Sequence, residues 1–222
     1  MELLNVADAG HAGVARAAAV LREGGVILYP TDTLYGLGAD ALCDEAVAKI
    51  YAIKGREEGK PMHCVVADLA MAEKYAEVND RARMLAAQFL PGPLTLILKK
   101  SPQGRSALGR KKYGMDTGIL RGMGTIGIRI PGNAFCIALA REFGGPITAT
   151  SANRSGEKSE PSVERILAQI GDAAETIDLV IDAGELPASK PSTVVDVSTD
   201  EPHILREGAI CAADIEEVLK IR

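Results

Sequence analysis

Lys54-Gly55-Arg56 places two cations two residues apart around a glycine, at the end of an expected helix, with Lys60-Pro61 just beyond. Cations there are ordinarily accounted for by the helix macrodipole. They can equally converge on one phosphate, Arg as a planar fork and Lys as a point charge. Thr148-Ala149-Thr150-Ser151-Ala152-Asn153 ends an expected strand on small residues, hydroxyls and an amide. Small side chains leave room for a ligand, and Ser and Asn can bond phosphate or ribose oxygens; a simple Asx or Ser turn uses the same residues. Tyr29-Pro30-Thr31-Asp32-Thr33-Leu34-Tyr35-Gly36-Leu37-Gly38 sets two threonines and an aspartate at a strand end, where open α/β sheets bind ligands. It is not a Walker A loop, because the G-x-x-x-x-G-K-[ST] pattern is missing. Ser192-Thr193 and Arg206 repeat the theme near two late strands. Arg129, between Ile128 and Ile130, either faces solvent or points into a cleft.

Ser-His-Asp sets, paired carboxylates in one motif and Cys-His pairs do not stand out. A site of Lys, Arg, Ser, Thr and Asn suits binding and charge stabilisation, the profile of nucleotidyl or phosphoryl transfer.

The elements that must position these residues follow from periodicity. Helices are expected over Asp8 to Glu23, from Asp44 as cap to Lys54 with Gly55 as a left-handed terminator, and over Asp80 to Phe89. Further helices are expected over Asn133 to Phe143, Val163 to Ile170 and Asp214 to Lys220. Short apolar runs at 26–29, 64–66, 94–98, 126–130, 147–150, 179–181, 194–197 and 204–206 read as strands. Alternating β-α units followed by consecutive late strands predict a single α/β domain over 1–222 on a mixed sheet. Ser101 to Gly124 is rich in Gly and carries Arg105, Arg110, Lys111, Lys112 and Arg121. It reads either as a solvated surface loop or as a mobile basic lid over a phosphate-bearing substrate.

Composition sets the limits. At 222 residues, 47% hydrophobic and without Trp, the core must be built from Ala, Val, Ile and Leu. A net charge of −5 argues against general polyanion binding and leaves RNA contact to a local basic cluster. The four cysteines form no C-x-x-C pair and the three histidines no metal-ligand spacing, so no metal site from protein side chains is expected. Reduced thiols and the lack of a signal or membrane-length apolar stretch give a cytoplasmic expectation.

Taken together, the blocks resemble the YrdC-type threonylcarbamoyl-AMP synthases from about Gly24 to Gly208. The family's K-x-R and S-x-N marker is matched by Lys54, Arg56, Ser151 and Asn153. P-T-D-T-x-Y-G-L-G, P-G-P-L-T at Pro91 to Thr95, S-T-V-V-D and L-R-E-G complete the pattern. The resemblance implies a twisted mixed sheet with packed helices and a large concave cleft. There ATP (with Mg²⁺), L-threonine and bicarbonate or carbon dioxide would give threonylcarbamoyl-AMP and pyrophosphate, for a downstream tRNA threonylcarbamoyl transferase system. It implies an ATP set of Arg56, Lys60, Thr125, Ser151, Ser159 and Arg206, and a threonine set of Thr33, Arg129, Ala149 (through its backbone) and Ser192. Lys54 and Asn153 would join Arg56 and Ser151 as catalytic residues, with Leu34 and Tyr35 excluding water. Three departures stand out: Val65 where some members carry histidine, with His63 two residues away; a longer and more basic 101–124 segment; and an end soon after Arg206, without the larger members' extra C-terminal domain. A related carbamoyl-adenylate enzyme with another acceptor, and an RNA-binding or ribosome-maturation factor of the same fold, are the alternatives. Direct contact with tRNA or double-stranded RNA stays open.

Overall fold

A computed structural model of the chain describes residues 1–101 and 116–220. Its strands are β1 (Glu2–Asn5), β2 (Ile27–Pro30), β3 (Tyr35–Gly38), β4 (His63–Val65), β5 (Ala76–Glu77), β6 (Leu94–Lys100), β7 (Thr125–Arg129), β8 (Ile147–Ser151), β9 (Leu179–Asp182), β10 (Thr193–Asp196) and β11 (His203–Arg206). The helices are α1 (Val6–Arg22), α2 (Asp44–Lys54), α3 (Leu69–Ala72), α4 (Asp80–Phe89), α5 (Ala134–Phe143), α6 (Val163–Ile170) and α7 (Ala212–Leu219). The strands form one sheet in the order β1-β9-β2-β3-β8-β4-β7-β6-β10-β11, with β5 pairing to β6. Four neighbouring pairs are parallel (β1–β9, β9–β2, β4–β7, β6–β10) and the others antiparallel, so the sheet is mixed as expected.

The core is aliphatic, as the composition requires. Ile27, Leu28, Leu37, Ile50, Leu94 and Leu96 are at most 1% exposed, and Tyr29 and Tyr35 are its largest wholly buried side chains. Central strands buried on both faces read as continuous apolar runs, which is why β2 and β9 were legible without alternation. Among the described residues no helix is long and apolar enough to cross a membrane.

Helix α2 ends as expected on Gly55, at φ +56° and ψ +40°, whose N–H returns to the Ala52 carbonyl. Its N-cap is Cys43, not Asp44. The Asp44 carboxylate is engaged elsewhere: it accepts the Gly118 N–H at 2.7 Å and pairs with Arg121. The short 3₁₀ turn Gly118–Leu120 is thereby fastened to the start of α2, with Ile119 N–H donating to Ala41 O at 2.9 Å and Leu120 fully buried. Residues 118–120 are therefore a short packed turn within the connection between β6 and β7. The basic residues Arg105, Arg110, Lys111 and Lys112, on which the lid reading depends, lie outside the described residues.

Three strands escape the periodicity reading, the two-residue β5 among them. β1 is a short edge strand with alternating exposure. β3 looks like a glycine-rich loop but is wholly buried. The Tyr29 ring fills the space beside it: a Cβ at Gly38 would lie 2.8 Å from Tyr29 Cε1. Glycine there accommodates an aromatic neighbour rather than a ligand.

Candidate active site

Strand ends and connecting loops surround a cavity of about 670 Å³, a volume typical of small-molecule sites. Its walls come from the β2–β3 connection, the start of β4, the ends of β7, β8 and β11, the residues entering β10, and the end of α2.

Lys54, at the last turn of α2, is only 4% exposed. Its ammonium donates to Ser151 O, to Asn153 O at 2.9 Å and to Asn153 Oδ1 at 3.1 Å. Three N–H groups thus meet three oxygens. Burial, with Arg56 nearby, brings the Lys54 pKa down to about 8, which leaves it protonated at neutral pH. The Asn153 amide donates to Arg154 O at 2.9 Å and Glu157 O at 2.6 Å, and its carbonyl also accepts from Ser151 Oγ. Ser155 N–H closes the knot on Lys54 O at 2.8 Å. Arg56 is bound more lightly, by one bond from Nη2 to Pro61 O at 3.1 Å.

The opposite wall is built on Arg129. Its Nη2 lies 2.6 Å from Asp32 Oδ1, and each side chain is 10% exposed. Asp32 Oδ2 accepts the Gly132 N–H at 3.0 Å, and Arg129 Nη1 reaches Thr33 Oγ1 at 3.3 Å. Among the described residues, Arg129 Nε is the one buried side-chain polar atom with no hydrogen-bond partner. Such an orphan donor costs free energy unless a ligand or water meets it. Thr31 Oγ1 shapes the loop beneath by accepting the N–H groups of Thr33 and Leu34 at 3.1 and 3.2 Å. Ser192 Oγ contacts Thr95 Oγ1 at 2.8 Å, and Arg206 donates to Ser192 O at 2.8 Å and to Ser192 Oγ at 3.2 Å. Burial and the charge of Arg129 lower the Arg206 pKa.

Ten of the twelve residues singled out in the sequence line this cavity: Thr33, Lys54, Arg56, Arg129 and Ala149 with Ser151, Asn153, Ser159, Ser192 and Arg206. Lys60 does not. It pairs with Glu57 at 3.1 Å and borders a separate cavity of about 350 Å³ beside Tyr51 and Gly118. Thr125 does not either: it shares a strand face with Arg129 but stands four residues away, about 13 Å along β7. Leu34 and Tyr35 line the cavity, and the Tyr35 hydroxyl is fixed by Gly184 O and Ala183 N–H, both at 2.8 Å.

Two residues were missed. Asp32 was quoted within its block but given no role. The family blocks put Val65 at the histidine position and leave His63 without a role, yet Val65 is fully buried while His63 lines the cavity. Alternation was the available signal, because residues two apart on a strand share a face.

The matched family model, described as "Telomere recombination" and named Sua5_yciO_yrdC, covers residues 19–208. A protein of Methanocaldococcus jannaschii is 42% identical over 85% of this chain, and the match spans 82% of that protein. The threonylcarbamoyl-AMP synthase of Bacillus subtilis is 37% identical over 93% of this chain. Of the solved structures, P. abyssi Sua5 complexed with L-threonine superimposes with a TM-score of 0.85 at 33% identity, covering 99% of this chain. The chain spans 56% of the Bacillus synthase and 61% of the solved P. abyssi Sua5 chain. The chain belongs to the Sua5/YciO/YrdC family.

Proposed function

We infer that this family member forms threonylcarbamoyl-AMP and pyrophosphate from L-threonine, bicarbonate or carbon dioxide, and ATP. The observation that carries the reading is the convergence in one cleft of Arg56, Arg129 and Arg206 with the Lys54-held turn Ser151 to Asn153. A buried guanidinium with one orphan donor, Arg129 Nε, beside two further arginines on the same cavity asks for an anionic ligand.

In this reading Arg56, Arg206, Ser151 and Ser159 hold ATP, and Mg²⁺ enters on its phosphates as part of the substrate. Arg129 takes the threonine carboxylate on Nε, which has no other hydrogen-bond partner. Thr33 Oγ1 and Ser192 Oγ, held in place by their neighbours, receive the threonine hydroxyl, and the Ala149 backbone borders the amine. Lys60 and Thr125 lie off the cavity and are given no role. An oxygen of the N-carboxylated threonine attacks the α-phosphorus, the bond to the β-phosphate oxygen breaks, and pyrophosphate leaves. Two anions must approach each other, so the arginines act by positioning and by offsetting charge on the phosphorus and leaving group. Lys54 and Asn153 serve this chemistry by fixing the turn that carries Ser151. Leu34 and Tyr35 shield the mixed anhydride from water. The product is passed in the cytoplasm to a tRNA threonylcarbamoyl transferase system.

Pyrophosphate release with ATP, bicarbonate and each of threonine, serine and valine tests the assignment. A site that bonds a hydroxyl discriminates strongly against an analogue without one, by about 10⁴-fold in the strongest cases. Threonine should far exceed valine, with serine between them. Equal release with valine and threonine contradicts it.

A further inference from the structure

His63 stands at the first position of β4, in register with Gly127 of β7 on one side and Ala149 of β8 on the other. Its ring occupies space that only a glycine opposite leaves open: a Cβ at Gly127 would fall 2.3 Å from His63 Cδ2. Arg129 is two residues beyond Gly127, on the same strand face. Three guanidinium groups act on this one imidazole, those of Arg206, Arg129 and Arg56. In the reading above, Arg56 and Arg206 hold ATP and Arg129 holds threonine. His63 therefore lies where the two halves of the cleft meet, and there the threonine nitrogen must sit to join carbon dioxide beside the α-phosphate.

We propose that His63 is the group that accepts a proton from the threonine ammonium during N-carboxylation. The proposal rests on the proposed function. One N–H bond of the ammonium breaks and its proton passes to the free imidazole nitrogen. The nitrogen lone pair then forms the N–C bond to carbon dioxide, and a second N–H proton leaves to solvent, giving the carbamate. The other groups around the cleft are poorly suited. Lys54 is protonated with its N–H groups engaged, and Asp32 is paired to Arg129. Tyr29 and Tyr35 donate to the Thr148 and Gly184 carbonyls. Glu157 is exposed at the rim.

Burial first, then the three arginines, brings the His63 pKa down to about 4, which keeps the imidazole neutral and its lone pair free at pH 7. ATP phosphates and the threonine carboxylate oppose the arginine field. Binding should therefore move the imidazole upward, toward a base matched to the ammonium.

His63→Gln, with His63→Asn as a second variant, is the test, read as kcat/KM for threonine across pH. General-base loss should lower it roughly 10²-fold or more at pH 7. The deficit relative to the unmodified protein should shrink as pH rises and free amine becomes abundant, with ATP affinity within about twofold. In the unmodified protein, an NMR titration of His63 should shift upward when a non-hydrolysable ATP analogue and threonine are added. A deficit equal at every pH, a variant of normal rate, or a titration that ligands do not move would overturn the assignment of His63 alone. Absence of threonine-dependent pyrophosphate from the unmodified protein would overturn the proposed function and this assignment with it.

Discussion

The Lys54 ammonium lies 3.1 Å from Asn153 Oδ1 and 2.9 Å from the Asn153 carbonyl, so the first and last residues of the K-x-R and S-x-N marker are bonded to each other. The two middle residues, Arg56 and Ser151, are left to face a ligand. A four-residue marker thus divides into two builders and two presenters.

Lys54→Ala and Arg56→Ala should consequently differ in kind. Removing Lys54 leaves Asn153 O without its donor, while Ser151 O and Asn153 Oδ1 each keep one other, the Asn153 N–H and the Ser151 hydroxyl. The unsatisfied group should cost about 1–3 kcal/mol. Arg56 makes one bond at a helix end, where loss should be about 0.3–1 kcal/mol. Thermal unfolding should show a clear drop for Lys54→Ala and almost none for Arg56→Ala, while both lose synthesis. Equal melting temperatures would mean that Lys54 does not hold the turn.

A pH limb should follow from the same lysine. With its pKa near 8, Lys54 loses its proton and one of three donors above that value, so kcat/KM should fall above about pH 8. Stability moves the other way. The folded pKa is depressed below the ordinary 10.5, so between pH 8 and 10.5 the unfolded chain binds more protons. Within that window this group's contribution to stability rises with pH, because the cost of burying its charge is relieved. Activity loss above about pH 8 without a parallel loss of melting temperature is the expected result; absence of the limb, or a limb that tracks a falling melting temperature, contradicts its assignment to Lys54.

Much of this site was legible because its residues lie where apolar runs stop. The ends of β7 and β8, the Gly55 terminator and the cavity-lining Arg129 all follow from strand and helix punctuation. What stayed hidden depends on contacts distant in sequence. Asp44 looks like a cap until Gly118 and Arg121, more than seventy residues on, take its carboxylate. β3 looks like a loop because its partner in packing is the Tyr29 ring. Lys60 and Thr125 were assigned by block matching, and neither strand distance nor the turn after α2 could be read from the blocks.

Asp32, 97 residues from Arg129 in the chain, is expected to set that guanidinium's orientation. Asp32→Asn keeps the shape and removes the charge, leaving a buried cation uncompensated. Removing one member of a buried pair costs roughly 3–5 kcal/mol. Stability should fall toward that range. Threonine should bind about tenfold more weakly as the fork loses its anchor, a change of about 1.4 kcal/mol. ATP binding should change little, and calorimetry with each ligand separates the two. Unaltered threonine affinity would show that Asp32 is not what orients Arg129.

Gly208 should tolerate a side chain poorly, although its own atoms carry no chemistry. Its N–H donates to Thr193 Oγ1 at 2.9 Å, which holds it against the residues entering β10. A Cβ there would lie 2.1 Å from Pro191 O, 2.7 Å from Ser192 C and 2.8 Å from Ser192 O. All three are backbone atoms, so no side chain can rotate away, and the Ser192 peptide itself must move. Ser192 O is the acceptor for Arg206, so that movement carries a guanidinium of the proposed ATP set along with a hydroxyl of the proposed threonine set. Gly208→Ala should therefore cost about 1–3 kcal/mol of stability, as overpacking does. It should also weaken both substrates together, unlike Asp32→Asn. Gly124→Ala, where nothing lies within 4 Å of the added carbon, serves as the control and should be nearly silent. If Gly208→Ala proves as mild as Gly124→Ala in both melting temperature and substrate affinities, the Ser192 peptide is not the rigid link between Arg206 and the cleft that the geometry indicates.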